Sequence, residues 1–303
     1  MPTPPHAPTR TEQHDPRYAT LDGWPAAAVL DALLESQMSG VAAVRGALPA
    51  LDRVVAEALP RLRRGGRLAY AGAGTSGRIA FQDGAELAPT FDWPEDRTVF
   101  LMAGGPAALV RAVEGAEDDR AAAEQAVAVE RLGGNDVLLA LAASGTTPFT
   151  RAAVAAAKER GCLAVGISCN PDAPLLHEAD IGVLAETGPE AVAGSTRLKA
   201  GTAQKVILNL LSTTLMVGLG RVHQGLMVDM RATNAKLRER AGRMLRTLTG
   251  ADAEAAARAL AATGDRVKPA VLVLDGATAA EADALLATHH GSLRAALKER
   301  RGG

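Results

Sequence analysis

The chain has 303 residues, 48% of them hydrophobic, enough for one large domain with an appendage or for two modest ones. Its 33 lysines and arginines against 34 acidic residues leave no overall field to hold nucleic acid or an anionic membrane, so any anion must be held by a local site. Aromatic residues are 3% of the chain, too few for a platform of stacked bases.

Met1 to Pro16 carries five prolines and two histidines and lacks the continuous apolar stretch of a secretory signal, so residues 1–20 are expected to be a disordered, proline-rich tail. Pro25 to Arg64 is rich in Ala, Leu and Val at helical spacing and predicts two helices, closed by Gly65 and Gly66. Short apolar runs follow at Arg67–Ala71, Thr98–Ala103, Asp136–Ala142, Cys162–Ser168 and Ile181–Leu184. Each is followed by small polar residues and a helix-like segment, the rhythm of an α/β fold with a parallel sheet. From Ala191 to about Arg246 the pattern is helical again. After Thr249 an alanine-rich stretch containing the apolar run Ala270–Leu274 reads as a small helical region. The expected domains are therefore 21–246 and 247–303. The strongest membrane candidate, between Lys205 and Arg221, is fifteen residues long and contains Asn209, Ser212, Thr213 and Thr214; it reads as a buried core helix. Cys162 and Cys169 match no common zinc spacing and read as buried small hydrophobes.

In parallel sheets ligands bind at the carboxyl ends of the strands. After the first predicted strand comes Gly72-Ala73-Gly74-Thr75-Ser76-Gly77-Arg78, with glycines that allow close backbone approach and hydroxyls at a helix start. It is neither a Walker loop nor a convincing dinucleotide fingerprint, and alone it is equally well a tight turn capped by Ser76. After the third strand, Ala143-Ser144-Gly145-Thr146-Thr147-Pro148 repeats the arrangement, with Pro148 suited to a first helical turn. A third cluster, Gly194-Ser195-Thr196-Arg197-Leu198-Lys199, opens another helical segment. Three hydroxyl-rich helix starts in one α/β domain of near-neutral charge are best explained together by a phosphorylated small molecule.

These loops, with the run from Glu190 through Ser195, Thr196 and Lys199 to Lys205, resemble sugar isomerase (SIS) domains. Glu114–Asp119, the Glu190–Lys205 run and Leu226–Leu237 are similar to the N-acetylmuramic acid 6-phosphate etherase branch, with a likeness extending from about Leu21 to Leu297. The resemblance implies a five-stranded parallel sheet flanked by helices in a flavodoxin-like three-layer sandwich. It also implies a homodimer without metal or organic cofactor, acting on a phosphosugar; the expected place is the cytoplasm, and the charge balance and composition above speak against nucleic acid and membrane as partners. The implied reaction cleaves a D-lactyl ether to give N-acetylglucosamine 6-phosphate and D-lactate. By motif position Glu86 and Glu117 match the family's two catalytic carboxylates. Gly74, Thr75, Ser76, Ser144, Gly145, Thr146, Thr147, Glu190, Ser195, Thr196 and Lys199 are the implied phosphosugar-binding positions. The sequence departs from the family at His223, where a tyrosine is expected, and at Gln82-Asp83-Gly84-Ala85.

Two carboxylates suit this chemistry. Ring opening exposes an aldehyde at C1 that acidifies the C2 hydrogen; one carboxylate removes that proton while a carboxylic acid protonates the departing lactyl oxygen at C3, each transfer worth roughly 10² to 10⁴ in rate. Glu86 is assigned as the acid and Glu117 as the base by resemblance. Glu190 either assists ring opening or contacts the sugar, or is a surface carboxylate. His223 either shuttles a proton or, as is commoner for a lone histidine in an apolar helical stretch, is structural, and His289 and His290 are assigned no role. The rival readings are a phosphosugar isomerase and a non-catalytic phosphosugar-binding regulator; neither needs the Glu86 and Glu117 pair.

Overall fold

The structure, a computed structural model, describes residues 9–230 and 235–302. Two helices lead in: α1 (Ala26–Ala43) and α2 (Leu48–Arg63). Strand β1 (Leu68–Gly72) runs into α3 (Gly74–Ala85) and the short α4 (Leu87–Phe91), and β2 (Thr98–Met102) leads by loops to α5 (Arg120–Val129). The series continues with β3 (Val137–Leu141), α6 (Pro148–Glu159), β4 (Leu163–Ser168), α7 (Pro174–Glu178) and β5 (Ile181–Leu184). All five strands are parallel, in the order β2-β1-β3-β4-β5. The apolar runs of the sequence fall on these strands. β1, β3 and β4 are buried at every position, as strands covered on both faces must be. The strand order reverses at β1, whose neighbours β2 and β3 lie on opposite sides. The loops after β1 and β3 therefore flank the topological switch point where doubly wound sheets bind ligands.

The 20-residue helix α8 (Lys199–Gly218) follows, buried along Ile207, Leu208, Leu211, Leu215 and Met216, which fits the core-helix expectation for Lys205–Arg221. Beyond it the continuous helical pattern expected to Arg246 is broken. Val222–His223 (β6) and Leu226–Met227 (β7) form an antiparallel hairpin through Gln224 and Gly225, both at positive φ. Next come α9 (Ala235–Thr249), α10 (Ala253–Ala262), α11 (Val267–Leu274), α12 (Ala279–Thr288) and α13 (Leu293–Arg300). Part of the Leu226–Leu237 run, residues 231–234, lies outside the described residues.

The chain divides into two compact units, one running to Ala85 and resuming over Asp96–Leu211, the other made of Glu86–Glu95 and Ser212 onward. This division falls within α8, and a ten-residue insertion, Glu86–Glu95, groups with the C-terminal unit. Within that unit Arg221 holds the insertion, donating to the carbonyls of Phe91 and Asp92 at 2.7 and 2.8 Å while its guanidinium lies 5.3 Å over the Trp93 ring. No periodicity announces such long-range contacts.

The expected disordered tail is corrected over 9–20. Residues 1–8 lie outside the described residues, but Arg10–Glu12 and Pro16–Tyr18 form helical turns. Thr11 is wholly buried: its amide donates to Asn170 Oδ1 at 3.2 Å and its hydroxyl accepts from Asn170 Nδ2 at 3.0 Å. Arg10 pairs with Glu186, and the Gly194 amide donates to the Thr11 carbonyl. A prolines-and-charges reading counts composition and cannot see a distant asparagine.

Candidate active site

The loop after β1 is closely packed. An added Cβ on Gly72 would come within 2.8 Å of the Gly77 amide, so the turn into α3 tolerates no side chain there. The first amides of α3 are orphans by helix geometry. Thr75 is partly exposed, whereas Ser76 is buried and its hydroxyl donates to Gln204 Oε1, on α8, at 2.9 Å. Gly201, in the first turn of α8, faces Thr75 and Ile79.

The loop after β3 turns at Gly145, with φ +69 and an absent Cβ whose place is bounded by Ala173 and by Ser168 Oγ at 2.7 Å. Ser144 Oγ accepts from the amide and the hydroxyl of Thr146 at 3.2 and 3.0 Å, and Pro148 opens α6 directly after Thr147. Ala143, Cys169 and Ala200 pack as one buried cluster, so the start of α8 also touches the loops after β3 and β4. Burial pushes the Cys162 and Cys169 thiols up to about 12. Both side chains are the small buried hydrophobes the sequence suggested.

The third cluster is organised by Glu190. It is 1% exposed, and its two oxygens accept from the Lys199 and Ala200 amides at 3.1 and 2.9 Å, capping α8. The surface-carboxylate alternative is therefore corrected. Burial raises its pKa, against the opposing pull of the Ala200 and Lys199 amides and the Lys199 charge. Lys199 is itself buried, which lowers its pKa while Glu190 works the other way. The Gly201 and Thr202 amides bond to the carbonyls of Thr196 and Leu198, so all four leading amides of α8 are engaged. Ser195 and Thr196 are half-buried in the turn before the helix.

Glu117 lies in a short helical turn, Ala116–Asp118, set by Gly115 at φ +71. It shares a cavity of about 270 Å³ with Gly74, Thr75 and Arg78, and Arg78 is steadied by donating to the Ala108 carbonyl at 3.0 Å. A second cavity, about 700 Å³, is walled by Ser144 and Thr146 with Arg10, Gln13 and Arg151. The hydroxyl loops after β1 and β3 thus line different cavities, linked through the first turns of α8. Glu86 stands exposed immediately after α3, the first residue of the insertion. The departure at Asp83 is structural: buried, it accepts from Tyr70 Oη at 3.2 Å and Asn209 Nδ2 at 3.0 Å. His223 is buried on the β6–β7 hairpin rather than in a helix, and burial followed by the Arg294 charge lowers its pKa. Sequence reasoning passed over Gln204, Arg78 and Asn170. Each acts through a partner 30 or more residues away, which no local motif reports.

Residues 50–158 match the glucokinase regulatory protein N-terminal SIS domain, and residues 120–214 the SIS domain. Among solved structures, a phosphoheptose isomerase from Francisella tularensis aligns over 64% of this chain and 100% of its own, with a TM-score of 0.50 at 18% identity, a likeness of fold. The N-acetylmuramic acid 6-phosphate etherase of Deinococcus radiodurans is 52% identical over 293 residues, 96% of each chain. That of Salmonella dublin is 46% identical over 289 residues, covering 95% of this chain and 97% of its own. The similarity to these etherases spans nearly the whole chain and so both units, and the chain belongs to the N-acetylmuramic acid 6-phosphate etherase family, built on a SIS domain.

Proposed function

We propose that this chain cleaves the D-lactyl ether of N-acetylmuramic acid 6-phosphate, with Glu117 as the base and Glu86 as the acid, in the recycling of cell-wall amino sugar. The observation that carries the site assignment is the shared cavity of Glu117 with Gly74, Thr75 and Arg78: a carboxylate opposite a glycine-rich helix start fits a sugar whose phosphate is held by orphan amides and hydroxyls. With the ring open, Glu117 takes the C2 proton. The electron pair forms the C2–C3 double bond, the C3–O bond breaks, and lactate leaves with a proton from Glu86. Water then adds across the double bond, hydroxyl to C3 and proton to C2, giving N-acetylglucosamine 6-phosphate. One carboxyl must be ionised and the other protonated at the same pH. Ser144, Gly145, Thr146, Thr147, Ser195, Thr196 and Lys199 are assigned to the sugar-phosphate environment and Glu190 to holding the start of α8.

The enzyme acts in the cytoplasm as a homodimer in this reading. In support, Leu30, Leu34, Met38 and Val41 of α1 are 69%, 61%, 64% and 46% exposed at spacings of four, four and three, a single apolar stripe of the kind a second helix covers. The stretch Ala26–Arg63 is long and apolar enough by composition to cross a membrane. However, α2 buries Leu51, Val54, Ala58 and Leu62 and carries Asp52, Arg53, Glu57 and Arg61, which favours a protein partner over lipid.

D-lactate release from N-acetylmuramic acid 6-phosphate by the wild type, Glu86→Gln and Glu117→Gln tests the reading. Loss of lactate in both variants with phosphosugar binding retained is expected; a folded wild type that binds the sugar and releases no lactate would overturn it in favour of an isomerase or a regulator.

A further inference from the structure

Gln204 is wholly buried, one helical turn into α8, and its carboxamide is half satisfied. Its Oε1 accepts the Ser76 hydroxyl proton at 2.9 Å, while its Nε2, equally buried, has no hydrogen-bond partner among the described residues. Ser76 has one proton to give, and in this arrangement it is given inward. A phosphate dianion only accepts, so Ser76 as oriented would present it with lone pairs. We infer that Gln204 sets the direction of the Ser76 hydroxyl, turning its carboxamide over when the substrate's phosphate binds so that Ser76 donates outward.

The half-turn balances. Nε2 takes the place of Oε1 and donates to Ser76 Oγ, the orphan donor gains its partner, and the Ser76 hydroxyl, keeping its proton, turns to donate a hydrogen bond to a phosphate oxygen. Oε1 moves to where Nε2 stood, exchanging one unpaired atom for another. The two orientations are thus close in free energy, and a ligand with different contacts to each can select between them. The surroundings favour an anion at this point: Ser76 lies in the first turn of α3, and Gly201 brings the start of α8 against Thr75. Gln204 is a positioning residue, acting on the phosphate only through Ser76. The inference rests on the reading of the α3 loop as the phosphate site.

The test is a double-mutant cycle with Ser76→Ala and Gln204→Met, reading the Kd of N-acetylglucosamine 6-phosphate by calorimetry alongside KM and kcat for lactate release. Ser76→Ala should weaken binding roughly 10- to 100-fold, the worth of a hydrogen bond to a charged group. Gln204→Met should weaken it roughly 10-fold, with KM rising by the same factor and kcat falling far less, and should add nothing in the Ser76→Ala background. If Gln204→Met fails to fold, Gln204→Glu serves: its carboxylate can only accept, so it should hold the Ser76 proton inward and match or exceed Ser76→Ala. Equal effects of the Gln204 variant in both backgrounds would overturn the inference while leaving Ser76 as a phosphate ligand. No effect of Ser76→Ala, with lactate still released, would remove the phosphate reading of that loop and the inference with it, leaving the etherase reaction untouched.

Discussion

Glu190 separates a structural from a chemical role within one residue. Replacing it with alanine leaves the Lys199 and Ala200 amides without their acceptor, 3.1 and 2.9 Å away in the present structure, at the buried start of a 20-residue helix. Each stranded amide costs about 1–3 kcal/mol, so Glu190→Ala should lose about 3–4 kcal/mol, a large part of the 5–15 kcal/mol of an ordinary folded protein. Glu190→Gln keeps an acceptor and removes a charge that burial disfavours, and should cost less than about 1.5 kcal/mol. The sign with pH follows from the raised pKa: the carboxyl's contribution is full below the ordinary glutamate value and falls as pH rises through its folded value, so any deficit of Glu190→Gln shrinks from pH 4 to pH 7. Urea unfolding of the three proteins, with kcat for lactate release, checks this. A Glu190→Ala cost below about 1 kcal/mol would refute the capping argument. A roughly 100-fold loss of kcat in a stable Glu190→Gln would instead put Glu190 in the proton chemistry.

Gly145→Ala must place a Cβ at φ +69 against Ala173 and Ser168, so left-handed strain of about 1–2 kcal/mol adds to overpacking of about 1–3 kcal/mol and the urea midpoint should fall accordingly. Thr11→Val removes the hydroxyl that accepts from Asn170 and should cost about 1 kcal/mol, with faster proteolysis before Asp15; unchanged protection would mean the segment is held by its backbone bonds alone. Asp136 is held below the usual aspartate range by Arg67 and the Arg67 and Gly133 amides, even though burial, the largest influence, pushes upward. Its stabilisation is present above the unfolded aspartate pKa and lost as pH falls through the lower folded value. Asp136→Asn should therefore be less stable than wild type at pH 7 and lose that deficit below about pH 4, measured by thermal unfolding across pH.

The sheet was legible because its signal is local: a strand buried on both faces must be a short unbroken apolar run, and all five runs fall on strands within a residue or two at each end. The hydroxyl loops were legible for the same reason, being glycines and hydroxyls adjacent in sequence. Glu86 and Glu117 were singled out only by their motif positions, since nothing in a lone glutamate distinguishes it among the 34 acidic residues of the chain. What stayed hidden was pairing at a distance. Thr11 with Asn170, Ser76 with Gln204, Glu190 with the α8 amides and Arg221 with the Phe91 carbonyl all join residues whose separations carry no period. The division into two compact units follows which residues pack together, and α8 and the segments after it share helical spacing or small residues that do not announce it.

These distant pairings change how the three helix starts are ranked as anion sites. By sequence they were equivalent. In the structure, the first two amides of α8 are taken by Glu190 and the next two by the carbonyls of Thr196 and Leu198, and a buried carboxyl at that end opposes a second anion. At α6 the Thr146 amide is turned onto Ser144, and Pro148 supplies no amide at the first position. Among the described residues no carboxylate caps the α3 start, which begins on Gly74, where an added Cβ would meet nothing within 4 Å, leaving room for close approach. It is also the start that shares a cavity with Glu117. On the proposed reading the phosphate is therefore assigned to α3, and α8 would serve it indirectly, through the Gln204 bond to Ser76 and with its own first amides held by Glu190.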